Sequence, residues 1–143
     1  MKKLIKLALP AALIATFGLI AFSQQVSTIS AAAAKTAVAG KAVHGRITID
    51  VPAGFHIYSP TFVGTGVPTV ISLKPETGFK LISVNSPKGN LLSGDVNFPF
   101  AIMVGKSVRG MKSVSFSVRF QQCNSHICLP AITRTVTVHT LVK

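Results

Sequence analysis

The only two cysteines of this 143-residue chain fall in one segment, Phe120-Gln121-Gln122-Cys123-Asn124-Ser125-His126-Ile127-Cys128-Leu129-Pro130. Their spacing allows a mutual bond, and no third cysteine competes for either sulfur. A disulfide there closes a ring of about six residues, which the chain-entropy relation values at only roughly 2 kcal/mol, against more than about 4 for a bridge across a whole domain. Such a bond is a poor staple, so Cys123 and Cys128 read more economically as a reversible thiol pair. The competing reading is a permanent loop-closing disulfide in a secreted binding module. His126 could favour a neighbouring thiolate when protonated, or join the two sulfurs around zinc or copper, but a histidine in a solvated hairpin tip is usually plain polar surface. A blue-copper site would need a second His and usually a later Met; Met103 and Met111 both precede the segment. No metal or cofactor is expected.

The compartment decides whether such a pair can be oxidised. Lys2, Lys3 and Lys6 precede the uncharged apolar run Leu7 to Phe22, the pattern of a secretory leader. A helix of that run would span roughly 24 Å, short of the roughly 30 Å of a bilayer core. Cleavage is expected after Ser23, with Ala21 at −3, and the Ala31 to Ala34 cluster is the second choice. An uncleaved anchor is the alternative. The rest of the chain is then periplasmic or secreted, where disulfides persist. Residues 1–23 are thus expected as leader, 24–40, rich in Ala, Ser, Thr and Gln, as a low-complexity linker, and 41–143 as one domain long enough to bury a core without a staple.

The formal charge is +12, and without the three leader lysines about +9 remains against only Asp50, Glu76 and Asp95. That balance suits attraction to an anionic envelope. The basic residues are scattered singly, so nucleic acid is not an expected partner. The three acids are expected to be isolated from one another and to supply no carboxylate pair for hydrolysis.

Beyond the leader the chain reads as strands. Val43 to Val51 alternates apolar and polar residues until Pro52-Ala53-Gly54 turns the chain. Phe55 to Tyr58, Thr69 to Leu73 and Phe79 to Val84 follow, and Ser86 to Asn90 has loop composition. Val96 to Val104 keeps period two, although Pro99 predicts an edge strand or a bulge. Ser113 to Gln122, with Val114, Phe116, Val118 and Phe120 inward, and Thr133 to Val142 form the last pair; Phe98 and Phe100 are core by the same parity. Gly64-Thr65-Gly66 is a turn, too short for a phosphate loop. Seven or so short strands without a helical period indicate an all-β, immunoglobulin-like antiparallel β-sandwich. The immunoglobulin cysteine pair is not present, since cysteines this close cannot bridge two sheets about 10 Å apart. Extending the parity of the Val114 strand puts Gln122 inward and predicts that Cys123 faces outward, with Cys128 across the end of a hairpin.

The cysteine segment, followed by a Thr/Val strand, resembles the end of the N-terminal periplasmic domain of the DsbD family of thiol:disulfide interchange proteins. Gly54-Phe55-His56-Ile57-Tyr58-Ser59-Pro60, then Gly66-Val67-Pro68-Thr69, resembles its start, so the likeness covers roughly Ala42 to Val142. The resemblance implies an immunoglobulin-like domain whose dithiol relays electrons, a protein-disulfide reductase-type activity connected with periplasmic isomerases and cytochrome c maturation. It implies Cys123 and Cys128 as the redox pair, Cys128 as the sulfur that forms the mixed disulfide, and His56 and Tyr58 as neighbours of the pair. It also points to Ser86 to Leu92 as a shielding loop, although aromatic and acidic residues expected there are missing, and Ala131 stands where a second Pro is usual. The implied partners are thioredoxin-like proteins or domains. The family's membrane and thioredoxin-like domains have no counterpart in these residues, so a membrane electron donor would act in trans.

Overall fold

The computed structural model describes residues 25–143; the expected leader, including its cleavage site after Ser23, lies outside the described residues. These residues form eleven strands and, among them, no helix. The strands are β1 (Thr28–Ala33), β2 (Thr36–Ala37), β3 (Ala42–Val51), β4 (His56–Tyr58), β5 (Val70–Leu73), β6 (Phe79–Val84), β7 (Leu91–Leu92), β8 (Gly94–Val104), β9 (Gly110–Phe120), β10 (Gln122–Cys123) and β11 (Ile132–Val142). Two four-stranded sheets, ordered β1-β3-β8-β6 and β2-β11-β9-β5, face each other, and a small sheet β10-β4-β7 closes one end. This is the immunoglobulin-like β-sandwich that the alternation predicts. Every pairing is antiparallel except β2 with β11 and an isolated bridge between Tyr58 and Pro68.

Alternation builds the core directly. Ile47 and Ile49 of β3, Phe98, Ile102 and Val104 of β8, and Val114, Phe116, Val118 and Phe120 of β9 are each fully buried. Phe100 meets Phe116 across the sandwich with ring centroids 4.5 Å apart.

Two expectations need correction. Of the stretch 24–40 expected as a linker, the described part 25–40 is folded into the sandwich: Thr28–Ala33 pairs along β3 from Thr28↔Asp50 to Ala33↔Gly45, and Thr36–Ala37 pairs with Leu141–Val142. Its alanines have little strand propensity of their own, but the open edge of β3 supplies backbone partners, and Ile29, Ala31 and Ala33 pack against the core. The domain therefore begins before residue 41. Nor is β8 an edge strand, since it lies between β3 and β6. Pro99 is accommodated because its carbonyl accepts from Asn85 N at 2.8 Å, just beyond the end of β6. The two polar groups of a strand residue point the same way, so the missing N–H falls where β6 has already ended rather than within the β3 ladder. The irregularity in this sheet is in β6, between Leu81 and Ser83.

Candidate functional site

β9 ends at Phe120 and the chain changes sheets at Gln121, leaving Gln122 and Cys123 as β10 beside β4. Both glutamines lock this crossing. Gln121 Oε1 accepts from Val67 N at 3.0 Å, and its amide donates to Leu129 O at 3.1 Å. Gln122 is 3 % exposed; its Oε1 accepts from Ser27 N and Ser27 Oγ, each at 2.8 Å, and its amide donates to Gln25 O at 2.9 Å. A buried amide with three partners ties the start of the domain to the residue before Cys123.

The hairpin that follows is closed by its own hydrogen bonds. Asn124 N donates to Ile127 O at 2.8 Å and Leu129 N to Gln122 O at 2.9 Å. Asn124 Oδ1 accepts from His126 N and Ile127 N, both at 2.8 Å, the local side-chain turn that Asn favours. Cys123 and Cys128 are joined by a disulfide across this hairpin.

The two sulfurs stand in different environments. Cys128 is exposed, whereas Cys123 is 1 % exposed. Alternation still holds through the crossing, since Gln122 pairs with the buried Ile57 and Cys123 shares the opposite face with His56, but the exposure expected for an outward Cys123 is not found, because that face of the small sheet is covered. Tyr58 contributes to that cover. Its hydroxyl donates to Cys123 Sγ at 3.4 Å and lies 3.9 Å from Cys128 Sγ.

Tyr58 is held on several sides. Its ring meets Phe62 with centroids 4.4 Å apart and is nearly perpendicular to the His56 ring, with centroids 5.3 Å apart. Its carbonyl accepts from Thr69 N at 3.1 Å and from Thr69 Oγ1 at 2.6 Å. Gly66 lies so close that a Cβ there would overlap the Tyr58 ring. Glycine at 66 is required by this approach rather than by its backbone angles, which fall outside the left-handed region.

His56 is directly opposite Cys123 in the β4–β10 register, so the structure brings His56, Tyr58, Cys123 and Cys128 together. His126 is exposed, and its Nδ1 pairs with Ser125 Oγ at 2.8 Å rather than with sulfur, in keeping with polar surface. Ser86 to Leu92 divides into an exposed loop and β7, which occupies the edge of the small sheet opposite β10. Gln121, Gln122, Asn124, Phe62 and Gly66 carry no sequence-based expectation of a role at the site. The signal for Gln122 was its polar side chain at a core parity. Gly66 was marked only as part of a turn and of the resembling segment, and nothing local marks Phe62; both reach Tyr58 through a loop. On the other side of the hairpin, Val26, Leu129, Pro130 and Ile132 line an apolar cleft of about 240 Å³, bordered by Gln122 and Arg134.

No family model and no curated protein sequence matches this chain. Among solved structures it is similar to the periplasmic chaperone SfaE, with a TM-score of 0.35 and 11% identity over 82% of this chain. The chain spans 57% of that protein's length, and a likeness this slight carries no argument about function.

Proposed function

We propose that this is a periplasmic thiol-disulfide exchange domain that relays electrons between thioredoxin-like partners through Cys123 and Cys128, in the manner of the DsbD-type N-terminal domain that its sequence resembles. The observation that carries this reading is the asymmetry of the disulfide, one sulfur open to a partner and the other buried beneath a hydroxyl donor. A partner thiolate attacks Cys128 Sγ, the Cys123–Cys128 bond breaks, and the electron pair leaves on Cys123 Sγ. Tyr58 is placed to stabilise that thiolate by donating to it. A second partner thiolate then attacks the partner's sulfur in the mixed disulfide and releases Cys128. Two electrons and two protons pass to this domain, and the partner dithiol becomes a disulfide. The reverse sequence, begun by a Cys128 thiolate, reduces a partner disulfide.

A structural disulfide is the second reading, and the hairpin's own hydrogen bonds argue against it, because they hold the turn without help from sulfur. Equilibrium titration with alkylation of free thiols separates the two. A relay pair titrates at roughly −270 to −120 mV, and a structural one below about −300 mV. Trapping tests the roles of the sulfurs: with reduced protein and an active thioredoxin-like partner, Cys123→Ser accumulates a covalent complex through Cys128, whereas Cys128→Ser accumulates little. Equal trapping removes the assignment of roles, and no trapping by either removes the relay.

A further inference from the structure

The end of the sandwich opposite the disulfide is built from three segments joined through their backbones. Gly40 N donates to Val104 O at 2.9 Å and Val104 N to Lys41 O at 3.1 Å; Ala39 N donates to Lys143 O at 3.1 Å and Lys143 N to Ala37 O at 3.0 Å. Leu141 N donates to Lys35 O at 2.9 Å, and β9 enters here with Leu141 opposite Met111 and Thr140 opposite Lys112. This end consequently gathers Lys35, Lys41, Lys106, Arg109, Lys112 and Lys143, all exposed except the half-buried Lys112. Lysines that look scattered in sequence become one basic pole. Two of the chain's three acids, Asp50 and Asp95, are not isolated as expected but are cross-strand neighbours toward the disulfide end, and only Glu76 lies near the pole.

Two large apolar side chains stand exposed within this pole, Val38 at 59% and Met111 at 66%. Apolar side chains ringed by cations fit a bilayer interface, where shallow insertion adds to attraction by anionic headgroups. A soluble polyanion offers the charge without a place for Val38 and Met111. We propose that this pole docks the domain on a membrane surface bearing anionic lipid headgroups, so that the disulfide at the other end faces away from the bilayer toward soluble partners. Gln25 and Ser27, among the first of the described residues, are held at the disulfide end by Gln122, away from the pole.

The test uses the exported chain, wild type and variants processed alike, with vesicles of phosphatidylcholine alone or with phosphatidylglycerol added. Each basic side chain near an anionic surface contributes about fivefold in partitioning, so Lys41→Gln/Lys106→Gln/Arg109→Gln should lose roughly 100-fold in binding to the anionic vesicles. Lys88→Gln/Arg134→Gln, remote from the pole, should lose less than about threefold, since those charges stay beyond a Debye length of the surface. Because the chain contains no Trp, Val38→Trp supplies a second reporter: its emission should shift to the blue on anionic vesicles, while Val63→Trp in the loop beside Tyr58 should not. The Trp pair decides the matter if the triple variant fails to fold. Equal loss by both charge variants, no preference for phosphatidylglycerol, a shift at Val63→Trp without one at Val38→Trp, or tighter binding to a DNA duplex than to the vesicles at the same salt would overturn the proposal.

Discussion

Cys123 and Cys128 are chemically identical in sequence and unlike in place, and in the proposed exchange Tyr58 is the residue that would turn this difference to use. Its hydroxyl lies 3.4 Å from the buried sulfur, within reach of charge that develops there when Cys128 is attacked. A hydrogen bond to a charged group contributes about 1.5–3 kcal/mol. Tyr58→Phe should therefore slow reduction of the disulfide by dithiothreitol roughly tenfold or more, while the urea midpoint reports a stability change under about 1 kcal/mol, because the ring contacts with Phe62 and His56 remain. A rate within about twofold of wild type would remove this role for the hydroxyl.

The hairpin and the N-terminal strand show how much of the site depends on amides rather than sulfur. Since the disulfide closes so short a ring, Cys123→Ser/Cys128→Ser should cost only about 2 kcal/mol in urea denaturation. Loss of folding in that double variant would favour the structural reading of the bond. Gln122→Ala should cost as much or more, about 2–4 kcal/mol, because it leaves Ser27 N, Ser27 Oγ and Gln25 O without their buried partner. Hydrogen exchange in Thr28–Ala33 should rise in the same variant, since β1 loses its tie to the hairpin. Unchanged exchange there would show that the β3 edge alone holds the strand.

Across the whole molecule the sandwich supplies two rigid sheets whose core is almost entirely apolar, with one evident flaw. Thr140 is 1 % exposed, and its hydroxyl has no hydrogen-bond partner among the described residues. Replacing it by the nearly isosteric Val removes the cost of burying an unpaired hydroxyl, so Thr140→Val should raise stability by about 1 kcal/mol in urea denaturation without altering exchange kinetics. A loss of stability would mean that the hydroxyl is satisfied by water. The same sandwich separates a basic pole from the disulfide end, a division invisible along the chain because Lys35 and Lys41 flank β2, Lys106 lies between β8 and β9, and Lys143 follows β11.

Local pattern and turn signals were enough to determine β3, β4, β5, β6, β8, β9 and β11, and alternation identified Phe98, Phe100, Phe116 and Phe120 as core, because a half-buried strand must present every second side chain to the same face. The pairing of Cys123 with Cys128 was likewise legible, since two thiols so close in sequence had no competitor. Tertiary structure decided the rest. Thr28–Ala33 became a strand because the edge of β3 offered it hydrogen bonds that its composition does not announce. Pro99 became internal because β6 ends where the missing N–H would have been needed. Cys123 became buried although alternation put it on the outward face, because at Gln121 the chain leaves one sheet for another and that face of β10 lies beneath Tyr58, a residue remote in sequence that only the pairing of β4 with β10 brings near.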